Sequence, residues 1–228
     1  VRESRGGLTA RPFREDGLRA STGEKMTDEI HITFLRHGRS RADDEGVHEG
    51  RYDSPLTDVG RSQVRARVGE FLTRSFRFDR IVSSPLQRAH ETATIIGAAL
   101  NVPIETDPDW MEIDNGPLAG MSREAAAEQY PRPAFRNPYQ PFCGTGESEW
   151  EIYIRAARAV EKMVRHGPGN YLVVAHGGVL NSALKTIVGT PPSPDQQGLS
   201  FAFGDTGYAR LVYYPSKHHW RLLEFNAG

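Results

Sequence analysis

The sequence predicts an α/β fold, a three-layer sandwich with a mostly parallel central sheet flanked by helices. Three observations predict it. Short apolar runs of strand length alternate with longer stretches at helical spacing. The run Tyr171 to Ala175 is apolar without interruption, and three strand-like runs crowd the C-terminal third, where they predict a small antiparallel addition to the sheet.

In chain order, Ile30 to Leu35 reads as a short buried strand ended by Gly38. Thr57 to Arg74 reads as a helix with Thr57 as N-cap and Val64, Val68, Phe71 and Leu72 at roughly helical spacing. Phe78 to Val82 is a second strand, and Leu86 to Leu100, rich in Ala and Ile, a second helix. Residues 101–146 interrupt the rhythm with many Pro and Gly and one short helix near Ser122 to Gln129, so they are expected to form a substrate loop or lid. A long helix from about Glu147 to Arg165, the strand Tyr171 to Ala175 and a helix from about Gly178 to Val188 restore it. Phe201 to Phe203, Tyr208 to Tyr214 and Trp220 to Phe225 are the closing strand-like runs.

With 228 residues, 38% of them hydrophobic, the chain is long enough for one well-buried core, expected as a single domain over 29–228. Residues 1–28 mix arginines with Gly, Ser, Thr and acids without periodicity and read as a disordered tail. An initial Val is what literal translation of a GTG start produces, and Met26, just before the first apolar run, is an alternative start. No apolar run suits a membrane span or a secretory leader, so the expected compartment is the cytoplasm. A single cysteine, Cys143, agrees with a reducing compartment and cannot by itself build a metal site. The net charge of -1 lacks the basic excess of a nucleic-acid binder, so any anion binding must be local.

In an open parallel sheet, ligands bind beyond the carboxyl ends of the strands. Three strand ends here carry polar groups of one kind: Arg36 and His37 after the first, Ser83, Ser84 and then Arg88 after the second, and His176, Gly177 and Gly178 after the third. Two arginines and two histidines meeting above one sheet edge repel one another unless an anion sits among them, and guanidinium forks match phosphate oxygens. Gly38, Gly177 and Gly178 remove side chains where backbone is expected to pass close to a ligand, and the helix starting near Gly178 aims N–H groups at it. The plainer alternatives stay open: Ser83-Ser84-Pro85 is also a helix-entry signal, with Ser84 capping and Pro85 first in the helix, and Arg88 also suits a solvated helix face.

In these residues the chain resembles the histidine phosphatase superfamily, in the branch shared with cofactor-dependent phosphoglycerate mutases. The likeness covers nearly all of 30–225. It rests on LRHG at Leu35 to Gly38, GRYDSPLTDVGRSQ at Gly50 to Gln63, SSPLQRAHETA at Ser83 to Ala93, Glu112 followed by Gly116 and Gly120, GES at Gly146 to Ser148 and VVAHGGVL at Val173 to Leu180. The resemblance implies a phosphoglycerate mutase-like fold and a reaction through phosphohistidine, with His37 as nucleophile. It implies that Arg36, Arg88 and His176 hold the phosphoryl oxygens, and that Glu112 is general acid and then base. The residues alone leave Glu105, Asp107, Asp109 and Asp114 of the same loop as rivals to Glu112. Ser40, Gly50, Gly177 and Arg123 are the implied substrate contacts, and Arg132 and Arg136 either touch a second anionic group or are solvated. No metal and no cofactor are expected.

The chain also departs from the mutase pattern. Arg39 follows the Arg-His-Gly where the superfamily often has Glu, and Asp43 stands where the mutases carry a phosphate-binding Asn, a carboxylate that needs Arg39 or Arg41 to neutralise it. The segment between Glu112 and His176 is shorter than in the mutases. These departures favour a phosphatase hydrolysing a small phosphorylated substrate, with a mutase as the alternative and a phosphate-binding regulatory module as a third reading. No membrane or nucleic-acid partner is expected, and a homo-oligomer is possible.

Overall fold

The computed structural model describes residues 28–228; the tail expected at 1–28 and the alternative start at Met26 lie, but for Asp28, outside the described residues. Six strands form one sheet: β1 (Ile30–Arg36), β2 (Arg80–Ser83), β3 (Ile104–Thr106), β4 (Gly169–Ala175), β5 (Tyr208–Tyr214) and β6 (His219–Asn226). Their spatial order is β3-β2-β4-β1-β5-β6. Neighbouring strands from β3 to β1 pair in parallel, while β5 runs antiparallel to β1 and β6 antiparallel to β5. This is the expected mostly parallel sheet with an antiparallel addition at one edge.

Among the described residues six α-helices accompany it: α1 (Arg41–Glu45), α2 (Asp58–Thr73), α3 (Gln87–Leu100), α4 (Arg123–Gln129), α5 (Glu149–Arg165) and α6 (Gly177–Val188). Alternation along the strands builds the three layers, because successive side chains point to opposite faces. On β1, Ile30, Ile32 and Phe34 join a core with Trp110 and with Ile152, Met163 and Leu180 of α5 and α6. Leu35 faces the other way, into a core with Val64 and Phe71 of α2 and Ile96 of α3. On β4, Val173 and Ala175 enter the first core, Leu172 and Val174 the second.

Helix starts follow the sequence closely. Thr57 caps α2 through a bond from the Gly60 N–H at 3.0 Å, and Ser122 and Ser148 do the same for α4 and α5. Three expectations are corrected. The cap of α3 is Leu86 rather than Ser84, so Pro85 precedes the helix; the Ser84 hydroxyl still accepts the Leu86 N–H at 3.3 Å. Phe201 to Phe203 is not a strand: Phe201 binds the Asn181 side chain instead of a sheet partner, accepting at its carbonyl and donating from its N–H, each at 2.7 Å. Residues 101–146 contain β3, whose three residues are too few to show a period.

The register places three strand ends side by side. Arg36 lies opposite Ala175, and Ser83 opposite Val174. The ladder continues one step further, His37 N–H donating to the Ala175 carbonyl at 3.1 Å and Ser84 N–H to that of Val174 at 3.0 Å. His37, Ser84 and His176 therefore leave the sheet together.

Candidate active site

His37, Arg88 and His176 are wholly buried at this edge, and the two imidazoles sit with ring centroids 5.1 Å apart. The His37 Nδ1 lies 2.7 Å from the Gly38 carbonyl. A carbonyl only accepts, so Nδ1 carries the proton and Nε2 the lone pair. Toward that lone pair Arg88 donates its Nε–H at 3.2 Å. The guanidinium is aimed by its two other nitrogens, which donate to the carbonyls of Tyr52 and Gly50, both at 2.9 Å. Gly50 supplies its carbonyl from a left-handed turn, φ +49°, and a Cβ there would collide with Asn115.

Burial, then the charges of Arg88 and Arg36, push the His37 pKa well below its ordinary 6.5. His176 is lowered too, by burial and then by Arg88, His37 and Arg36. Both rings are neutral at pH 7. The His176 Nε2 meets the Ser84 hydroxyl at 2.8 Å, whereas its Nδ1 is buried with no partner within the protein. Arg36 donates to the Phe203 carbonyl at 3.0 Å and lies 3.6 Å from the Asp205 carboxylate, so its charge reaches both histidines while the 203–206 segment holds it.

Glu112 sits at the start of α6, the helix capped by His176. Its carboxylate accepts the N–H groups of Gly178 at 2.9 Å and Val179 at 3.1 Å, together with that of Ile113 at 2.8 Å. Two amides expected to face a ligand therefore hold Glu112, and Gly178 is required because a Cβ there would run into that carboxylate. The loop before Glu112 is clamped by buried Arg155 of α5, which donates to the carbonyls of Asp109 (2.9 Å), Met111 (2.7 Å) and Glu112 (3.3 Å) and pairs with Glu147. The rival acids are committed elsewhere. Glu105 pairs with Arg80 and Asp107 with Lys162, both at 2.9 Å. Asp109 binds Arg158 Nε at 2.7 Å, and that bond holds its pKa down at about 2. Asp114 accepts the Gly116 N–H at 3.0 Å.

Other expectations are corrected. A Cβ on Gly38 would stand 2.7 Å from the Gly60 carbonyl, so that glycine admits α2 rather than a ligand. Neither Arg39 nor Arg41 neutralises Asp43: Arg39 pairs with Asp44 at 2.6 Å and Arg41 with Glu45 at 3.0 Å. Asp43 instead is the third residue of α1 and completes its capping box, accepting the N–H of the Ser40 cap at 2.8 Å. The expectation for Gly177 is not among those corrected: it is the first residue of α6, and the space beside it is open, with nothing within 4 Å of an added Cβ. Arg123, expected at a second anionic group of the substrate, lines a cavity of about 270 Å³ with Arg132, Arg136, His48, Tyr130 and Phe142.

Sequence reasoning missed Glu49. Its carboxylate accepts a hydrogen bond from the Ser40 hydroxyl and lies 3.3 Å from Arg88 Nε and 3.6 Å from His37 Nε2. The only signal was its position directly before Gly50. Asp205, which meets Arg36, had none. Among the described residues no group of three or more His, Cys, Asp or Glu side chains could hold a metal ion, and no helix is long and apolar enough to cross a membrane.

Comparison with known proteins identifies the family. Residues 32–227 match the model of the histidine phosphatase superfamily (branch 1). The chain is 32% identical over 196 residues to the Bacillus subtilis (strain 168) protein named Uncharacterized phosphatase PhoE, covering 86% of this chain and 93% of that one. It is 32% identical over 166 residues to Phosphoglycerate mutase-like protein 4 of Arabidopsis thaliana, covering 68% and 70%. The fold is shared with a mycobacterial glucosyl-3-phosphoglycerate phosphatase, Rv2419c, solved with VO3: TM-score 0.73, 23% identity, 87% of this chain and 100% of that one. The chain belongs to the histidine phosphatase superfamily (branch 1), among its phosphoglycerate mutase-like members, and has the phosphatase-type activity of that family.

Proposed function

We propose that the protein hydrolyses the phosphate monoester of a small molecule through a phosphohistidine on Nε2 of His37. The observation that carries this reading is the state of His37: neutral, with its one proton committed to the Gly38 carbonyl and its lone pair on Nε2 facing Arg88. Nε2 attacks phosphorus as the ester P–O bond breaks. The leaving oxygen takes a proton from Glu112. Glu112 then removes a proton from water, whose oxygen attacks phosphorus and breaks the P–N bond, freeing phosphate and His37.

Arg88, Arg36 and His176 stabilise the charge that spreads over the phosphoryl oxygens. The Ser84 hydroxyl already accepts the Leu86 N–H, so its own hydrogen is available to His176 Nε2. That leaves the proton on the partnerless Nδ1, ready for a phosphoryl oxygen. Ser40, whose hydroxyl meets Glu49, and Gly177, next in the chain after His176, are the further substrate contacts of this reading. The loop 101–146 receives the rest of the substrate, with Arg123 and the arginine-lined cavity suited to a second anionic group. We place this activity in the cytoplasm, in keeping with a single cysteine.

The test is a panel of phosphate esters, an aryl phosphate and phosphoglycerates included, read as released phosphate. Wild type is expected to release phosphate, and His37→Ala to lose at least about a thousandfold of the rate. Full activity in His37→Ala refutes the reading. Interchange of phosphoglycerate isomers outpacing phosphate release makes the protein a mutase, and phosphate binding without turnover on any ester makes it a binding module.

A further inference from the structure

We propose that Glu49 is a built-in competitor for the phosphoryl seat, a carboxylate that balances the cationic pocket until a phosphoryl group displaces it and that thereby sets the affinity for phosphate. The inference rests on the reading of His37 and Arg88 as the phosphoryl seat.

The cluster of Arg36, Arg88, His37 and His176 needs an anion, and the chain itself supplies one. Wholly buried Arg88 has its Nε 3.3 Å from a Glu49 oxygen, and the other Glu49 oxygen stands 3.6 Å from His37 Nε2. A near-attack geometry brings phosphorus to about 3–3.5 Å of the nucleophile. The carboxylate and a phosphoryl group therefore claim the same space, and both claim Arg88 Nε. The Ser40 hydroxyl, a candidate donor to the phosphoryl group, is also directed at Glu49. Two anions side by side against a wholly buried guanidinium repel strongly, so the phosphoryl group enters only as Glu49 leaves.

The backbone around Glu49 lets the side chain move alone. His48 is fixed on one side, its N–H donating to the Met121 carbonyl and its own carbonyl accepting the Gly120 N–H, both at 2.9 Å. Gly50 is fixed on the other by Arg88. The Glu49 carbonyl accepts the Tyr52 N–H at 2.8 Å. Rotation about the side-chain bonds of Glu49 frees the seat while the carbonyls that aim Arg88 stay in place. After hydrolysis the same carboxylate returns to Arg88 and favours release of phosphate.

The test measures inorganic phosphate binding by calorimetry to the wild type and to Glu49→Gln and Glu49→Ala at one pH and salt, which requires no turnover. Glu49→Gln keeps the shape and removes the charge. It is expected to tighten phosphate binding by about tenfold or more, and Glu49→Ala is expected to tighten it as well. Thermal unfolding supplies the second readout. Without phosphate the variants are expected to melt below the wild type, because buried Arg88 has lost its partner, and phosphate is expected to raise their melting temperatures more than that of the wild type. Unchanged or weaker phosphate binding in Glu49→Gln overturns the proposal. Its failure is distinct from that of the phosphatase reading, which is decided by ester turnover in wild type and His37→Ala.

Discussion

Arg88 directs its Nε–H at Nε2 of His37, 3.2 Å away, because its other two nitrogens are already given to the carbonyls of Tyr52 and Gly50. The guanidinium thus ties the GRYDSPLT segment to the nucleophile with three directed bonds. Lysine carries the charge but not the fork. Arg88→Lys is expected to lower kcat/KM for an aryl phosphate about 100- to 1000-fold, and each carbonyl left unpaired costs about 1–3 kcal/mol of stability. Steady-state kinetics with urea unfolding check both, and a variant with wild-type kcat/KM contradicts the role given to Arg88.

Glu112 as proton donor matters most where the leaving oxygen is poor. Glu112→Gln is expected to reduce hydrolysis of alkyl phosphates by about 100- to 10,000-fold and that of a nitrophenyl phosphate far less. Rates measured across leaving groups of graded acidity decide it: equal losses for all of them mean that Glu112 is not the acid.

The Gly178 position separates the placing of Glu112 from its chemistry. In Gly178→Ala the new methyl would displace the carboxylate from the amides of α6, whereas in Gly177→Ala it would meet nothing within 4 Å. Gly178→Ala is expected to lose tenfold or more of kcat, on the order of 1.4 kcal/mol in the barrier, mainly with poor leaving groups. Gly177→Ala is expected to lose much less. The comparison is one of kcat profiles, and similar losses in the two variants count against the tether.

Both buried histidines carry pKa values lowered below 6.5 in the folded protein. Below about pH 6.5 the unfolded chain binds protons that these two sites refuse, so the stability they contribute is present above that pH and declines as pH falls, levelling off only below the folded values. Urea midpoints are expected to drop between pH 7.5 and 5.5 in the wild type, and to drop less in His37→Asn and His176→Asn. An unaltered slope in both variants would show that other groups govern the acid limb.

Much of the fold was legible because its signals are local. Thr57 announced α2, the unbroken run Tyr171 to Ala175 announced β4, and the order of strands and helices implied parallel pairing in the centre of the sheet. Arg36, His37 and His176 were legible for the same reason, since each stands at or just beyond a strand end and the sheet register brings such ends together, and Arg88 follows in the first turn of the helix after β2. β3 stayed hidden because three residues carry no period, and the 201–203 run misled because its apolar side chains serve the core without a strand partner. Only the tertiary structure decided which acid reaches α6, because the commitments of Glu105, Asp107, Asp109 and Asp114 depend on cations from distant or neighbouring elements. It alone placed Glu49 against Arg88 and His37. Charge pairing in a pocket is set by distances across the chain, and residue order carries the kinds of groups that meet there but not which of them meet.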